Sequence, residues 1–462
     1  MLELLYTLLG WAFTALPFVV AFLFAVGLIL LVVGMYFSPL VGGVAILLLF
    51  LLETFFVHLF GFELGISVYP QDLLFVPMAL VALLRLTRPG AMKRLPWPLW
   101  VLTGMMSLSF AIGLVQHGST AGVEFRSDFY FMVGVFYFSS FTWSPQQISR
   151  LFGWLFPVVL CIMAIVWFRW ASDTFNLDWV DPLWHRDAFV TGLPLRVINA
   201  QQTLVLGQAL ILLVFAMAMG NVLAGWRFLV PLLGLTVLVL QHRSVWVAAF
   251  LPALMALVIV RQSQGRLAAR LAVIAAVSSM VLVPLLATGK FSGATSSVSE
   301  AAVKATSTTG GTFVGRVQGW DALLKQWTAA GPRAWVIGSP YGRGFTRPEK
   351  PGGKEVAFAP HNYYVQLLLR VGLIGLLAFV ALHVYLLKGA VRLAGAPHAE
   401  LTGYAMIGLL FSLLLFDIPY SPYYSHGLFT GLMLALILQH GRQGDAAVHS
   451  MRRMPGKQGA TA

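Results

Sequence analysis

The feature that most constrains this chain is a succession of apolar runs, each close to the length a helix needs to cross a bilayer. A hydrocarbon core about 30 Å thick takes about 20 apolar residues. Runs of this kind cover 18–37, 39–60, 70–86, 97–116, 127–143, 148–170, 200–220, 227–241, 244–260, 271–288, 362–387, 401–417 and 424–440. Residues 2–16 form a further candidate hinged at Pro17, and Glu3 near the start speaks against a cleavable signal. Backbone polar groups inside lipid are satisfied within a helix. The expected fold is therefore an all-α polytopic membrane protein, a bundle of about 12 to 14 transmembrane helices. Hydrophobic residues make up 59% of the chain and charged residues 10%, against roughly 25% charged in a soluble domain. That balance excludes both an ordinary soluble domain and a disordered chain. The single cysteine, Cys161, leaves no disulfide framework or thiolate cluster.

The net charge is +13. In a soluble protein this would suggest nucleic acid; here it reflects the Lys/Arg bias of cytoplasmic connections, and no nucleic-acid partner is expected. Arg85, Arg88, Lys93 and Arg94 crowd one connection, and Arg261, Arg266 and Arg270 another. Lys388 and Arg392 follow the run ending near 387, and Arg442, Arg452, Arg453 and Lys457 lie in the tail. With these inside, strict alternation puts 61–69, 117–126, 171–199, the break at 241–244, 289–361 and 417–423 on the outer side. The expected organisation is an N-terminal helix bundle over 1–288, one long outer loop over 289–361, C-terminal helices over 362–441 and a cytoplasmic tail over 442–462.

The outer loop is the only long hydrophilic stretch. Ser292 to Gly311 is rich in Ser, Thr, Ala and Gly. From Gly315 to Trp327 the spacing of Val317, Trp320, Leu324 and Trp327 predicts an amphipathic helix, with Asp321 and Lys325 as an i,i+4 pair. Gly338, Pro340, Gly342 and Gly344 then mark a tightly turned path to Pro360-His361-Asn362. The loop reads as a lid over the outer mouth of the bundle.

Arginines on the outer side run against the bias: Arg126, Arg186, Arg196 and Arg243. Arg243, in Gln241-His242-Arg243-Ser244, sits between two apolar runs, where an unpaired Arg costs about 2.5–3.5 kcal/mol or more. Two readings stand, an interfacial Arg snorkelling to headgroups and a guanidinium facing an anionic partner such as phosphate. His361 opens a helix just outside the membrane, where a neutral imidazole is either a general base or a structural hydrogen bonder. Asp417 either orients such a His or caps its own turn. The aromatic clusters Phe129-Tyr130-Phe131 and Phe136-Tyr137-Phe138 are packing residues or line a sugar- or lipid-contacting surface. No acidic or His cluster has metal-ligand spacing, so no metal and no cofactor is expected. No nucleotide loop or Gly-x-Ser-x-Gly elbow is present either.

Three ordered stretches carry a resemblance: Gln241-His242-Arg243-Ser244-Val245-Trp246, Gly315-Arg316 followed by Trp320, and His361-Asn362-Tyr363-Tyr364 leading to Arg370-Val371-Gly372-Leu373-Ile374-Gly375. Together they resemble the O-antigen ligase/polymerase superfamily of bacterial envelope glycosyltransferases. That family has an Arg/Ser motif at an external helix end, an Arg opening a helix in a long periplasmic loop, and a His-Asn pair before a Gly-x-x-Gly helix. The sequence departs from the pattern at Arg370, where many members carry an acidic residue, and at His242-Arg243-Ser244, where ligases commonly have Ser-Arg-Gly. The resemblance implies a GT-C-like, metal-independent inverting enzyme of the inner membrane, its site facing the periplasm and its C-terminus the cytoplasm. The implied donor is a glycan on undecaprenyl pyrophosphate, and the implied acceptor is lipid A-core (a ligase) or another lipid-linked glycan (a polymerase), among membrane lipids. His361 is then the general base, Arg243 and Arg316 stabilise the pyrophosphate with Arg126 and Arg196 as further candidates, and Asp417 and Asn362 support them. A lipid-linked glycan flippase or transporter fits a dozen helices with internal charges, but matched halves with broken helices are not found. A structural envelope protein whose arginines bind anionic lipid is a third reading.

Overall fold

The computed structural model describes residues 19, 22–23, 25–56, 62–63, 67–90, 92–175, 196–220, 227–259, 312–348, 355–357 and 359–452. The first helices are α1 (Ala25–Phe37), α2 (Pro39–Phe55), α3 (Pro70–Leu86), α4 (Trp97–His117), α5 (Ser119–Ser139), α6 (Pro145–Phe175) and α7 (Ala200–Ala218). They are followed by α8 (Leu229–Val239), α9 (Arg243–Ile259), α10 (Thr312–Ala329), α11 (Pro332–Ile337), α12 (Tyr363–Ala394), α13 (Glu400–Phe416) and α14 (Tyr424–Arg452). Two short antiparallel ladders accompany them, β1 (Phe62–Glu63) with β2 (Ser67–Val68) and β3 (Arg347–Pro348) with β4 (Glu355–Val356). Among the described residues, four helices are long and apolar enough to cross a membrane: α4, α6 over Pro145–Ser172, α7 and α12. Shorter apolar helices include α1, α2, α8, α9 and α13. The protein is an all-α polytopic membrane protein, as predicted. The runs at 2–16 and 271–288 and the Ser/Thr-rich part of the loop lie outside the described residues.

Local chemistry fixes where these helices begin. Asn199 opens α7 with a reciprocal cap: its Oδ1 accepts the Gln202 N–H at 2.8 Å while Gln202 Oε1 accepts the Asn199 N–H at 3.0 Å. Asp72 returns its carboxylate to the Tyr69 N–H at 2.8 Å to open α3, with Pro70 at the first helical position. Asn362 Oδ1 accepts the Val365 N–H at 3.0 Å to open α12.

One boundary differs from the sequence reading. The segment 117–126, expected as an outer connection, is helical from Ser119, so that Gly118 alone separates α4 from α5. Its polar residues obscured the helix because their partners are distant in sequence. Glu124 accepts the Gly342 N–H at 2.8 Å and pairs with the buried Arg370. Asp128, fully buried in α5, accepts hydroxyl protons from Tyr341 at 2.9 Å and Tyr363 at 2.8 Å. Carboxylates paired in this way tie α5 to the Tyr341–Gly342 turn, to Arg370 and to the first turn of α12.

Helices α5 and α14 approach backbone to backbone: a Cβ on Gly134 would lie 2.8 Å from the Gly427 backbone, and one on Gly431 2.7 Å from the Gly134 oxygen. Small residues at such crossings let dispersion act between helices where lipid offers no hydrophobic drive. Glu53 in α2 is the acceptor for the Tyr423 and Tyr424 hydroxyls, which joins the N-terminal helices to the start of α14.

The long helix α12 is broken at Gly372, with φ 65° and ψ −167°. The end of α11 enters the break: a Cβ on Gly372 would lie 2.3 Å from the Val336 oxygen. The Leu369 carbonyl, whose helical partner the break removes, accepts the Ser339 N–H at 2.7 Å. Irregular backbone at this depth is tolerated because protein covers it.

Candidate active site

Four separate pieces of chain converge at one end of the bundle. They are the approach to α7, the α8–α9 break, the amphipathic helix α10 together with the residues just before α12, and the α13–α14 link. Arg196, four residues before α7, donates from Nη2 to the Gln241 carbonyl at 2.8 Å. His242 Nε2 lies 2.9 Å from the Ile198 carbonyl, which fixes the same approach segment to the α8–α9 break. Arg243 follows as the first residue of α9. Arg316 on α10 donates from Nη1 to the Pro419 carbonyl at 3.2 Å, and its guanidinium stands 5.1 Å over the Tyr420 ring. Tyr420 is held flat against Phe416, with ring centroids 4.8 Å apart and an interplanar angle of 15°. The imidazole of His361 stands edge to face with the Tyr420 ring, their centroids 6.3 Å apart.

The electrostatics repeat this grouping. Burial lowers the Arg196 pKa, the Tyr420 hydroxyl opposes that, and the charges of Arg243 and Arg316 lower it further. Arg196 thus lies within electrostatic reach of both Arg243 and Arg316, and cations placed so favour an anion nearby. His361 is exposed as a residue, yet desolvation of the sheltered part of its ring, followed by the charges of Arg316 and Arg347, lowers its pKa to about 4. At neutral pH the imidazole is uncharged and able to accept a proton.

The amphipathic helix predicted over 315–327 is present within α10, and the Asp321–Lys325 ion pair closes at 2.7 Å. Its buried stripe is rotated from the expected one: Leu323, with Trp320 and Trp327, packs on Phe345, Val365 and Leu369, whereas Val317 is exposed. That packing sets Arg316 over the site. Trp320 Nε1 donates to the Pro360 carbonyl at 2.6 Å, fixing the residue before His361.

Two residues escaped the sequence reading. Arg347, 6% exposed, lies across α10 where Gly319 leaves room; a Cβ there would meet its Nε at 2.7 Å. Tyr420 is the ring around which Arg316 and His361 are arranged. One signal was available for the first, since Gly319 stands one helical turn after Arg316. Backbone strain marks the same place: among the described residues only Gln241 (φ 58°) and His361 (φ 48°) are non-glycine residues with positive φ, and such outliers cluster at functional sites. The Gln241 side chain is buried with neither amide atom partnered among the described residues, leaving hydrogen-bonding capacity for a ligand.

Other expected residues lie elsewhere or act differently. Arg126 pairs with Asp72 at 3.4 Å, donates to the Ser67 carbonyl at 2.6 Å and covers the Tyr69 ring at 4.7 Å, so its contacts belong to the β2–α3 corner. Asn362 serves as the cap of α12 beside His361. The Asp417 carboxylate is buried and faces His426 Nε2 at 3.5 Å, while its main-chain oxygen accepts the Tyr363 N–H at 2.9 Å. Its recorded link toward His361 therefore runs through the backbone of α12. Arg370, the departure from the family pattern, is buried; it pairs with Glu124, donates to the Gly344 carbonyl at 2.6 Å and stacks 4.1 Å from the Phe345 ring.

No curated protein matches the chain. Residues 228–380 match the family described as Wzy_C, O-antigen ligase. The matched span contains Arg243, Arg316, Arg347, His361 and Arg370, whereas Arg196, Asp417 and Tyr420 lie outside it. Residues 228–380 thus carry an O-antigen ligase-type domain, which supports the resemblance to the O-antigen ligase/polymerase superfamily.

Proposed function

We propose that the protein is an inverting glycosyltransferase of the O-antigen ligase type. It moves a polysaccharide from undecaprenyl pyrophosphate to a lipid A-core acceptor at the periplasmic face of the inner membrane. The observation that carries this reading is the meeting of Arg196, Arg316 and His361, from distant stretches of sequence, around Tyr420, with Arg243 within electrostatic reach of Arg196.

Departure of a lipid pyrophosphate develops negative charge on the leaving oxygens. Arg243 and Arg316, with Arg196 behind them, are fixed donors for that charge, and loss of one preorganised donor costs about 10²–10³ in rate. His361 takes the proton of the acceptor hydroxyl as that oxygen attacks the anomeric carbon from the face opposite the pyrophosphate, a role worth about 10²–10⁴. Neutral imidazole is the required form, and the low pKa of His361 supplies it. Asp417 and Asn362 act on the His361 segment through the backbone of α12. No metal takes part in this scheme.

The experiment uses the purified full-length protein with lipid-linked donor and core acceptor. His361→Ala is expected to abolish transfer while donor binding persists. Arg243→Ala and Arg316→Ala are expected to lower kcat by about 10²–10³. Donor binding lost together with transfer in His361→Ala would refute the base assignment, and translocation without any transfer would refute the enzyme. Product analysis separates the branches: core-attached polymer is the ligase result, and lengthened lipid-linked glycan is the result for the polymerase of the same superfamily. Excess chelator is expected to leave the rate unchanged; abolition with rescue by Mg²⁺ or Mn²⁺ would contradict the metal-independent scheme.

A further inference from the structure

A second basic pocket lies between α11, the turn that follows it and the C-terminal half of α4. Its volume is about 250 Å³, and its lining includes Ser109, Gln116, Arg333, Ser339 and Arg343. Arg343 Nη1 donates to the Ser339 hydroxyl at 3.1 Å. Among the described residues no carboxylate pairs with either arginine. Both arginines are exposed, as is Gln116, so the polar groups are presented to whatever fills the pocket.

The surroundings identify the kind of ligand. Leu108 on α4 lines the pocket, and the same two helices carry further large exposed apolar side chains, Val115 on α4 and Trp335 and Val336 on α11. Val115 is 88% exposed, which is the exposure of a residue that faces lipid in a membrane protein. Trp335 turns its indole N–H inward to the Thr328 carbonyl at 3.0 Å, leaving its apolar face outward in the manner of an interfacial aromatic. Guanidinium pairs beside aliphatic surface match one chemistry: a phosphate headgroup with acyl chains attached. Two arginines can grip such a phosphate in bidentate fashion, and Gln116 can donate to it.

We propose that Arg333, Arg343 and Gln116 form a binding site for the anionic phosphate headgroup of a lipid, seated at the membrane interface against α4 and α11. The floor of this site is Gly338-Ser339, the segment that fills the break in α12 at Gly372. A bound headgroup therefore braces the segment that locks the helix led by His361. The inference does not depend on the transfer reaction, because lipid retention reports on it directly.

The test is native mass spectrometry of the full-length protein released from mixed micelles holding equal phosphatidylglycerol and phosphatidylcholine. The wild type is expected to retain phosphatidylglycerol about tenfold over phosphatidylcholine at one site. Arg333→Gln/Arg343→Gln is expected to remove that preference, and Arg333→Lys/Arg343→Lys to keep part of it, because Lys retains the charge without the bidentate fork. Both pairs of substitutions are at exposed positions, and an unchanged Tm establishes that they fold. A wild type without preference, or a Gln pair that retains it, would overturn the proposal. Inorganic phosphate at millimolar concentration is expected not to displace the lipid; displacement would assign the site to free phosphate and overturn the lipid reading.

Discussion

Replacing Arg347 by Gln tests the electrostatic design around His361 without touching the proposed pyrophosphate ligands. The imidazole pKa is lowered from 6.5 to about 4, first by desolvation and then by Arg316 and Arg347. The sign follows from the charges: a nearby cation disfavours imidazolium, so its removal raises the pKa. Desolvation and Arg316 remain, so the value stays below 6.5. Arg347 is the smallest of the three causes of this lowering, so its removal restores at most about a third of it, under one pH unit. The acid limb of kcat/KM, which reports the free enzyme, is then expected to move upward from about pH 4 by some tenths of a unit. At pH 5 the neutral fraction of His361 falls measurably below its wild-type value of about nine tenths, while the rate on the neutral plateau is nearly preserved. Gly319→Ala should shift the limb in the same direction, because its Cβ would occupy the space of Arg347 Nε. The assay is transfer rate against pH over 4 to 8 with limiting donor. A wild-type limb near 6.5, or one unmoved by either substitution, would refute the reasoning.

Two further predictions concern the frame around the site. Glu124→Gln leaves Arg370 buried without its counter-charge, and breaking a buried pair in this way costs about 3–5 kcal/mol; a clear fall in Tm is expected, partly recovered by Glu124→Gln/Arg370→Met, and equal Tm values for the single variant and wild type would contradict it. Gly372→Ala combines a positive φ with a Cβ 2.3 Å from the Val336 oxygen, so the segment after α11 must leave the break. Loss of well-folded protein by size-exclusion chromatography is expected, and an unchanged elution profile and activity would show that the break is not closed by that segment.

Arg243 and His361, the proposed cation and base, stood out in the sequence because membrane burial makes charge conspicuous. Arg243 interrupts two apolar runs, and His361 follows the only long polar stretch, so each stands out against its surroundings. What the sequence concealed were the residues whose reason for being there is a partner far away. Glu124 made the start of α5 look like a connection, yet it pairs with the buried Arg370, and Asp128 further along the same helix is buried against Tyr341 and Tyr363. Arg347 escaped the sequence reading because the face of α10 it lies against, at Gly319, is set by the fold. Arg126 shows the converse: its position against the charge bias was read as a ligand-binding signal, and its contacts turn out to be with Asp72 and the Ser67 carbonyl.

The departure at Arg370 has a physical account along the same lines. An acidic residue at that place could not pair with Glu124, nor donate to the Gly344 carbonyl; the arginine does both, and its stem covers Phe345. Two residues on, Gly372 breaks the helix and Gly338 enters the gap, so Arg370 anchors the strand of chain that would otherwise leave Leu369 without a hydrogen-bond donor. The exchange of charge at position 370 is thus balanced by an acid on α5, and the unit selected is the pair. A charge-swapped variant, Glu124→Arg/Arg370→Glu, should therefore retain more stability than either single swap. If it did no better than the worse single swap, the Gly344 carbonyl and Phe345 contacts, which only arginine at position 370 can make, would be the dominant part of that anchor.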